Sequence, residues 1–254
     1  MAHIRTTMAL AVALAAPVAA SSCLNTSDTG TCYAIPVHNY NVGDVATDTL
    51  SGQACRQLYE ITAGDQTNMR VTLTSPGFQT FLQLIDSRGA IVMNSVLTNA
   101  VDTTTTVRLM LGPGTYSLAV NPINAGQGGA YRLTSAVDSA AVGGCSRIWV
   151  TPGITTTQRI TTGDCTQSPN GASYYTHVYN VVLLVGQSVT VTESSTSFSP
   201  GFVLYGPSSS LPSTVDSTGT TASISTVIDA QGAYSVWVGS SNAGQTGMYT
   251  LQIQ

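Results

Sequence analysis

The feature that most constrains this chain is an internal repeat built from alternating apolar and polar residues. Residues 124–133 match residues 242–251 at a constant offset of 118, and the same offset aligns residues 114–120 with 232–238. The two copies span roughly 110 residues each, which is the size of a domain rather than of a solenoid unit. The chain is therefore predicted to consist of two related domains that meet near residue 138.

Within each copy the apolar residues recur at every second position. Met69, Val71 and Leu73 alternate with polar residues in the first copy, and Val189 and Val191 do so in the second. This period buries one face of a β-strand and leaves the other face in water. Short turn-forming sequences separate the strands at 75–77, 87–89, 112–114 and 200–201. Seven or eight short strands per copy are typical of a β-sandwich.

The fold prediction is an all-β protein with two tandem antiparallel β-sandwich domains after an N-terminal signal segment. The predicted boundaries are 1–22 for the signal peptide, 23–137 for the first sandwich and 138–254 for the second. Composition agrees, because the chain has only two Glu and no Lys, residues on which helices rely. Ser and Thr fill the outward strand positions, which explains how only 8% of the residues are charged.

Charge also limits the class of partner. The formal net charge is −4 and every basic side chain is one of eight Arg. Nucleic-acid binding needs a concentrated basic surface, so no nucleic-acid partner is predicted. Lys, Glu and Asp are depleted where proteins meet, and Lys commonly guards exposed strand edges. The absence of Lys and the scarcity of Glu therefore favour sandwiches whose edges are covered by a partner or by each other.

The first residues have the features of an export signal. Arg5 precedes a thirteen-residue apolar segment, 8–20, which is shorter than the roughly 20 residues that span a bilayer. Cleavage after Ala20 is one interpretation. The other is cleavage before Cys23, because residues 20–23 (Ala-Ser-Ser-Cys) resemble the signal of a bacterial lipoprotein, whose Cys carries the lipid.

Five cysteines in an exported chain leave one thiol without a partner. The spacings of 23 and 20 residues, in similar settings in the two copies, predict the disulfides Cys32–Cys55 and Cys145–Cys165. Each closed loop is worth about 3 kcal/mol in the chain-entropy model. Cys23 is then the odd cysteine and the predicted lipidation site. The alternative is that it is a free thiol.

A set of short motifs occurs in the same order in both copies. These are an early aromatic strand, a Gly-containing turn, a central Phe strand, a Gly-x-Tyr strand and a closing Gly-x-Tyr-x-Leu strand. They lie at Tyr59, 63–65, 81–86, 114–116 and 129–133, and again at Tyr179, 185–187, 202–205, 232–234 and 247–251. Each copy thereby resembles the bacterial pre-peptidase C-terminal domain. The resemblance implies a β-sandwich and a non-catalytic accessory module that accompanies secreted enzymes.

Motifs for catalysis are missing from the sequence. It contains no Gly-x-Ser-x-Gly, no His-Glu-x-x-His and no phosphate-binding loop, and without Lys a Schiff base is excluded. His38 and His177 lie in different copies and are expected to be exposed or locally hydrogen-bonded. The scattered acidic residues are expected to cap turns rather than bind Ca²⁺; they include Asp44, Asp48, Asp65 and Asp86. We predict no catalytic residue, no metal and no cofactor.

Two tryptophans are the candidate binding residues. Trp237 lies between inward-facing Val236 and Val238, so its ring is expected to point outward, and Trp149 is the second candidate. The functional prediction is a non-enzymatic scaffold that binds protein partners at the bacterial cell envelope, in the periplasm or at the cell surface. The lipid on Cys23 would anchor it to a membrane. The alternative is a carbohydrate- or matrix-binding surface module, with a glycan as ligand.

Overall fold

A computed structural model describes residues 37–51, 56–95, 103–124, 126–139, 145–168, 171–207 and 213–254. In the first half the strands are β1 (Val37–Asn39), β2 (Val45–Leu50), β3 (Gln57–Ala63), β4 (Thr67–Thr74), β5 (Thr80–Asp86), β6 (Ile91–Asn94), β7 (Thr104–Leu111), β8 (Gly114–Pro122) and β9 (Gly129–Val137). In the second half they are β10 (Arg147–Val150), β11 (Ile154–Ile160), β12 (Cys165–Gln167), β13 (Tyr174–Leu183), β14 (Ser188–Ser194), β15 (Pro200–Tyr205), β16 (Ser213–Asp216), β17 (Thr221–Val227), β18 (Gly232–Ser240) and β19 (Gly247–Ile253).

The two halves have the same sheet order. In the first half, a five-stranded sheet β1-β3-β8-β5-β6 faces the strands β2-β9-β4-β7. The second half repeats this with β10-β13-β18-β15-β16 facing β11-β19-β14-β17, and β12 adds to β13. Each half is therefore a β-sandwich, which confirms the predicted all-β class and explains the sequence repeat.

One strand pair joins the two halves. Strand β10 runs parallel to β13 of its own half and also parallel to β7 of the first half. The five-stranded sheet of the second half, the four-stranded sheet of the first half and β12 consequently form one ten-stranded sheet. The sequence predicted antiparallel sheets, and most pairs are antiparallel; β1–β3, β10–β13 and β7–β10 are parallel.

The ten-stranded sheet buries opposite faces in its two halves. On β7, Leu109 belongs to the first hydrophobic core, whereas its neighbour Met110 belongs to the second. The paired residues on β10 follow the same pattern, since Trp149 packs into the first core beside Leu109 and Val150 into the second beside Met110. Successive side chains on a strand point to opposite faces. The first core therefore lies on one side of the shared sheet and the second core on the other side.

Tyrosines of the Gly-x-Tyr motif close equivalent corners in the two halves. Tyr116 donates a hydrogen bond to the carbonyl oxygen of Gly112 at 3.0 Å, and Tyr234 donates one to that of Ala230 at 2.6 Å. A buried hydroxyl needs a partner, and here it binds the backbone four residues upstream. The motif thus has a structural role in both copies.

Several hydrogen bonds reinforce the junction beside β7 and β10. The Thr151 amide donates to the Met110 carbonyl oxygen at 3.1 Å, and the Gly112 amide donates to Thr151 Oγ1 at 2.7 Å. A Cβ atom on Gly112 would lie only 2.7 Å from the carbonyl oxygen of Pro152. Close contact between the two backbones at this point therefore requires glycine.

We predict that Gly112→Ala lowers the free energy of unfolding by about 1–3 kcal/mol, because the added methyl group clashes with backbone across the junction. Urea denaturation measures the change. Gly64→Ala is the matched control, since a Cβ atom at Gly64 meets nothing within 4 Å. Equal stability of the two variants would contradict the described junction.

Candidate functional site

An aromatic pair lies on the outer face of the second sandwich. Trp237 on β18 stands opposite Val178 of β13 and Val203 of β15. Its indole contacts Tyr205 edge to face, with ring centroids 6.0 Å apart and planes at 73°. Tyr205 is 39% exposed, whereas the flanking Val236 and Val238 are fully buried. The outward direction predicted for Trp237 agrees with this position. We call Val203, Tyr205 and Trp237 the aromatic face.

Trp149 does not have the position that its candidate role requires. Only 8% of its surface is exposed, and it packs in the first hydrophobic core. Its strand lies between β7 and β13, so both of its edges and both of its faces are occupied. The prediction of Trp149 as a binding residue is therefore wrong, because the residue crosses the junction and fills the neighbouring core.

The disulfide Cys145–Cys165 is present, with Cα atoms 4.3 Å apart. It fixes the start of β12 next to Asp164, whose Oδ2 accepts a hydrogen bond of 2.6 Å from the Thr161 amide. Cys23, Cys32 and Cys55 lie outside the described residues. Lipidation of Cys23 and the disulfide Cys32–Cys55 therefore stay predictions.

Asp164 is the first member of a polar chain inside the second sandwich. Its Oδ2 lies 3.1 Å from Nε2 of His177, and both side chains are buried. His177 Nδ1 lies 2.7 Å from the Tyr249 hydroxyl, which lies 2.7 Å from the hydroxyl of Tyr179. Burial is the largest effect on the imidazole and lowers the pKa of His177, although Asp164 favours its charged form. A neutral imidazole then has its proton on Nε2, facing the carboxylate, and accepts from Tyr249 at Nδ1.

Glu193 lies near the same hydroxyls. The residue is fully buried, and neither carboxyl oxygen has a hydrogen-bond partner of good geometry among the described residues. Burial raises the pKa of Glu193 to about 9, while the amides of Gly201 and Gly239 weakly favour the charged form. The carboxyl group is consequently neutral at pH 7. We call Asp164, His177, Tyr179, Glu193 and Tyr249 the buried polar cluster.

The first sandwich contains only part of this arrangement. Tyr59 and Tyr131 form the equivalent hydroxyl pair at 2.7 Å. Strand register places Gln57 where the second half has His177, and Leu73 where it has Glu193. The tyrosine pair therefore belongs to the shared sandwich framework. The ionisable groups are an addition specific to the second half.

An Asp–His pair is also a feature of catalytic sites, but here it is enclosed. The side chains of His177 and Asp164 are 0% and 3% exposed, so a substrate has no access to either group. Two shallow surface depressions are lined by other residues, around Tyr131 in the first half and around Asp216 in the second. The buried polar cluster is therefore an internal part of the second core and not an open site.

Sequence reasoning missed the cluster although a signal was present. His177 is in phase with Tyr179 and Val181, and Glu193 is in phase with Val189 and Val191. Alternation alone places both side chains inside the sandwich. The expectation of an exposed or locally hydrogen-bonded imidazole was wrong for His177, which is buried and bonded to a residue 72 positions away. His38 is exposed, and its ring lies 5.7 Å from that of Tyr59.

Asp44 and Asp86 cap turns, as predicted, whereas Asp48 lies within β2 and accepts from the amide of Thr49. Asp44 accepts from the Asn41 amide at 2.7 Å, and Asp86 accepts from the amides of Arg88 and Ala90 at 2.9 Å. In the part of the chain that the structure describes, no group of three His, Cys, Asp or Glu is arranged to hold a metal ion. Over the same residues, no helix is long and apolar enough to cross a membrane.

No family model matches the sequence, and no curated protein matches it. Among solved structures, the pre-peptidase C-terminal domain of a collagenase from Bacillus anthracis is similar, with 15% identity and a TM-score of 0.35. That match covers 41% of this chain and 97% of the domain. A protein from Eubacterium rectale described as secreted has 14% identity and a TM-score of 0.24, over 82% of this chain and 72% of that one.

The N-terminal tandem CBM22 domain of a Paenibacillus barcinonensis protein is also similar. Its identity is 8% and its TM-score 0.24, over 84% of this chain and 91% of that one. Identities and TM-scores as low as these identify neither a family nor an activity for the chain.

We predict that the contribution of Glu193 to the free energy of unfolding falls as pH rises from about 4.5 towards 9, because folded Glu193 retains a proton that the unfolded chain releases. Below pH 4.5 the stabilisation from this proton is fully present. Above that pH the free energy of unfolding falls by at most about 1.4 kcal/mol for each pH unit. Glu193→Gln removes this slope, so the variant should exceed the wild-type free energy of unfolding at pH 8.

Urea denaturation at a series of pH values measures both proteins. Glu60→Gln, which changes the other glutamate of the chain, is the control and should keep the wild-type slope. Parallel profiles for wild type and Glu193→Gln would show that the buried carboxyl group does not hold its proton.

Proposed function

We propose that this protein is a non-catalytic binding module of the bacterial cell envelope. Its aromatic face binds a protein partner, and a lipid on Cys23 holds the chain at a membrane. The Cys145–Cys165 disulfide suits an oxidising, extracytoplasmic compartment, which agrees with the export signal predicted from the sequence. The observation that carries the proposal is the outward pair of Trp237 and Tyr205 on an otherwise polar surface.

The chemistry of the aromatic face favours a protein ligand. Trp and Tyr are enriched at the centres of protein interfaces, where charged residues are depleted. Beside the two rings lie half-buried Val203 and Ser235, whose hydroxyl donates to Asn180 at 2.7 Å. The surface is therefore apolar and uncharged, with its nearest polar groups already paired.

Ring geometry distinguishes this surface from a sugar platform. The planes of Trp237 and Tyr205 stand at 73°, so the two rings present one face and one edge rather than two coplanar faces. A side chain of a partner protein can pack into the angle between them. We therefore propose a protein ligand, and the experiment below also measures glycan binding.

The position of β18 inside the ten-stranded sheet also supports a rigid binding surface. Strand β18 is held between β13 and β15 by continuous antiparallel register, and Val182 on the same face packs against the first core. The aromatic face is thus presented by the central strands of a sheet and not by a loop. A surface ordered before binding loses little conformational entropy on association.

We predict that Trp237→Ala weakens partner binding about 30-fold or more, the loss typical of an aromatic residue at the centre of an interface. Membranes of the source bacterium are crosslinked through a photoreactive residue at position 205, and partners that form a stoichiometric adduct are identified. Affinity for the purified partner is then measured for each variant.

Val137→Ala is the matched control, because Val137 is 70% exposed and lies in the first half, away from the aromatic face. The same cells carrying Cys23→Ala should release the chain from the membrane fraction. Selective retention on glycans that depends on Trp237 would favour the carbohydrate-binding alternative. Hydrolysis of ester or peptide substrates by the purified chain would contradict a non-catalytic role.

A further inference from the structure

Strand β17 is the counterpart of β7, the strand that accepts β10 at the junction. Met69 and Val71 of β4 pair with Leu109 and Val107 of β7. At the equivalent positions of β14, Val189 and Val191 pair with Thr226 and Ile224 of β17. Residues of β17 therefore follow those of β7 at an offset of 117, and Val227 occupies the position of Met110.

Strand β1 is, in the same way, the counterpart of β10. Each is the first described strand of its half and runs parallel to the long strand beside it. His38 pairs with Tyr59, and Ile148 pairs with Tyr179. Register continues from these pairs, so Asn39 occupies the position of Trp149.

The chain thus contains two equivalent pairs of strand edges. The edges of β7 and β10 pair with each other, whereas those of β17 and β1 do not. Among the described residues, β17 pairs only with β14 and β1 pairs only with β3. Exposure reflects this difference. Met110 and Trp149 are buried at the junction, whereas their counterparts Val227, which is 64% exposed, and Asn39 are exposed.

Among the residues that the structure describes, the edge of β17 has none of the features that normally prevent strand pairing. Its sequence from Thr221 to Val227 contains no charged residue, Pro or Gly, and its seven residues pair with β14 without a bulge. Proteins usually protect such an edge with charge, Pro, a bulge or a covering segment. An unprotected and regular edge is able to accept another strand.

We propose that β17 binds β1 of a second copy of this chain, in parallel register, and thereby repeats the β7–β10 junction between molecules. Asn39 of the second copy then lies beside Thr226, and Tyr40 beside Val227, as Trp149 and Val150 lie beside Leu109 and Met110 within the chain. The interface is heterologous, so each added copy again presents a free β17. Copies consequently associate head to tail.

The internal junction explains why this association is weaker than the joining of the two halves. Trp149 and Met110 each insert into the core of the other half, whereas the corresponding Asn39 and Val227 are smaller or polar. Association between copies therefore depends on concentration. The lipid anchor of the proposed function would raise the local concentration, but the edges themselves do not require it.

Sedimentation velocity of the purified full chain at increasing concentration tests the proposal. We expect wild type to form species beyond the dimer, and Asn39→Trp to associate more tightly because it restores the aromatic residue of the junction. Val227→Lys should weaken association about 30-fold or more, because docking would bury the ammonium group where Met110 is buried. Val137→Lys, on a strand between two others, should behave as wild type.

A mixing experiment identifies the two edges. Val227→Lys keeps a free β1, and Asn39→Glu keeps a free β17, so each variant alone should be monomeric and an equal mixture should form a one-to-one pair. Trp237→Ala should leave the pair intact, which separates this interface from the proposed partner surface. The proposal is overturned if all variants and wild type stay monomeric, if association stops at a symmetric dimer, or if Val227→Lys associates as wild type does.

Discussion

The parallel pairing of β7 with β10 is the interaction on which the rest of the structure depends. It converts two sandwiches into one continuous sheet whose opposite faces cover the two cores. Met110 and Trp149 each fill the core of the other half, and close backbone contact at Gly112 holds the register. The junction therefore fixes the orientation of strands β15 and β18, which carry Tyr205 and Trp237. The same pair of edges, left open at β1 and β17, is the basis for association between copies.

The two halves share a framework but differ in the groups that they bury. Both contain a pair of tyrosine hydroxyls across the sandwich and a tyrosine bonded to the backbone four residues upstream. The second half adds an enclosed Asp–His pair and a glutamate that is neutral at pH 7. Burying an unpaired carboxyl group costs stability, so Glu193 is a local exception to the otherwise apolar packing of its strand. The buried carboxyl group of Glu193 makes the stability of the second half depend on pH. The first half has Leu73 at the equivalent position, which does not ionise.

Much of the fold could be predicted from alternation and repetition, because both act locally along the chain. Strand phase correctly predicts the outward Trp237, and it contains the information that His177 and Glu193 point inward. The junction could not be predicted in this way. Strand β10 has only four residues, Arg147 to Val150, and three of them are buried because the two cores cover opposite faces of the strand. Pairing of β10 with β7 depends on backbone edges rather than on side-chain pattern. Trp149, which sequence reasoning took for a surface residue, was misassigned for that reason.

Hydrogen exchange of the backbone amides at the junction tests the central claim, that β7–β10 pairing makes the two halves one unit. The Thr151 amide, bonded to Met110, and the Gly112 amide, bonded to Thr151 Oγ1, are the reporters. We predict that both amides exchange only through global unfolding, with the same protection as the amide of fully buried Val71 in the interior of β4. Exchange of Thr151 and Gly112 at much lower free energy than Val71, accompanied by two separate unfolding transitions, would contradict it.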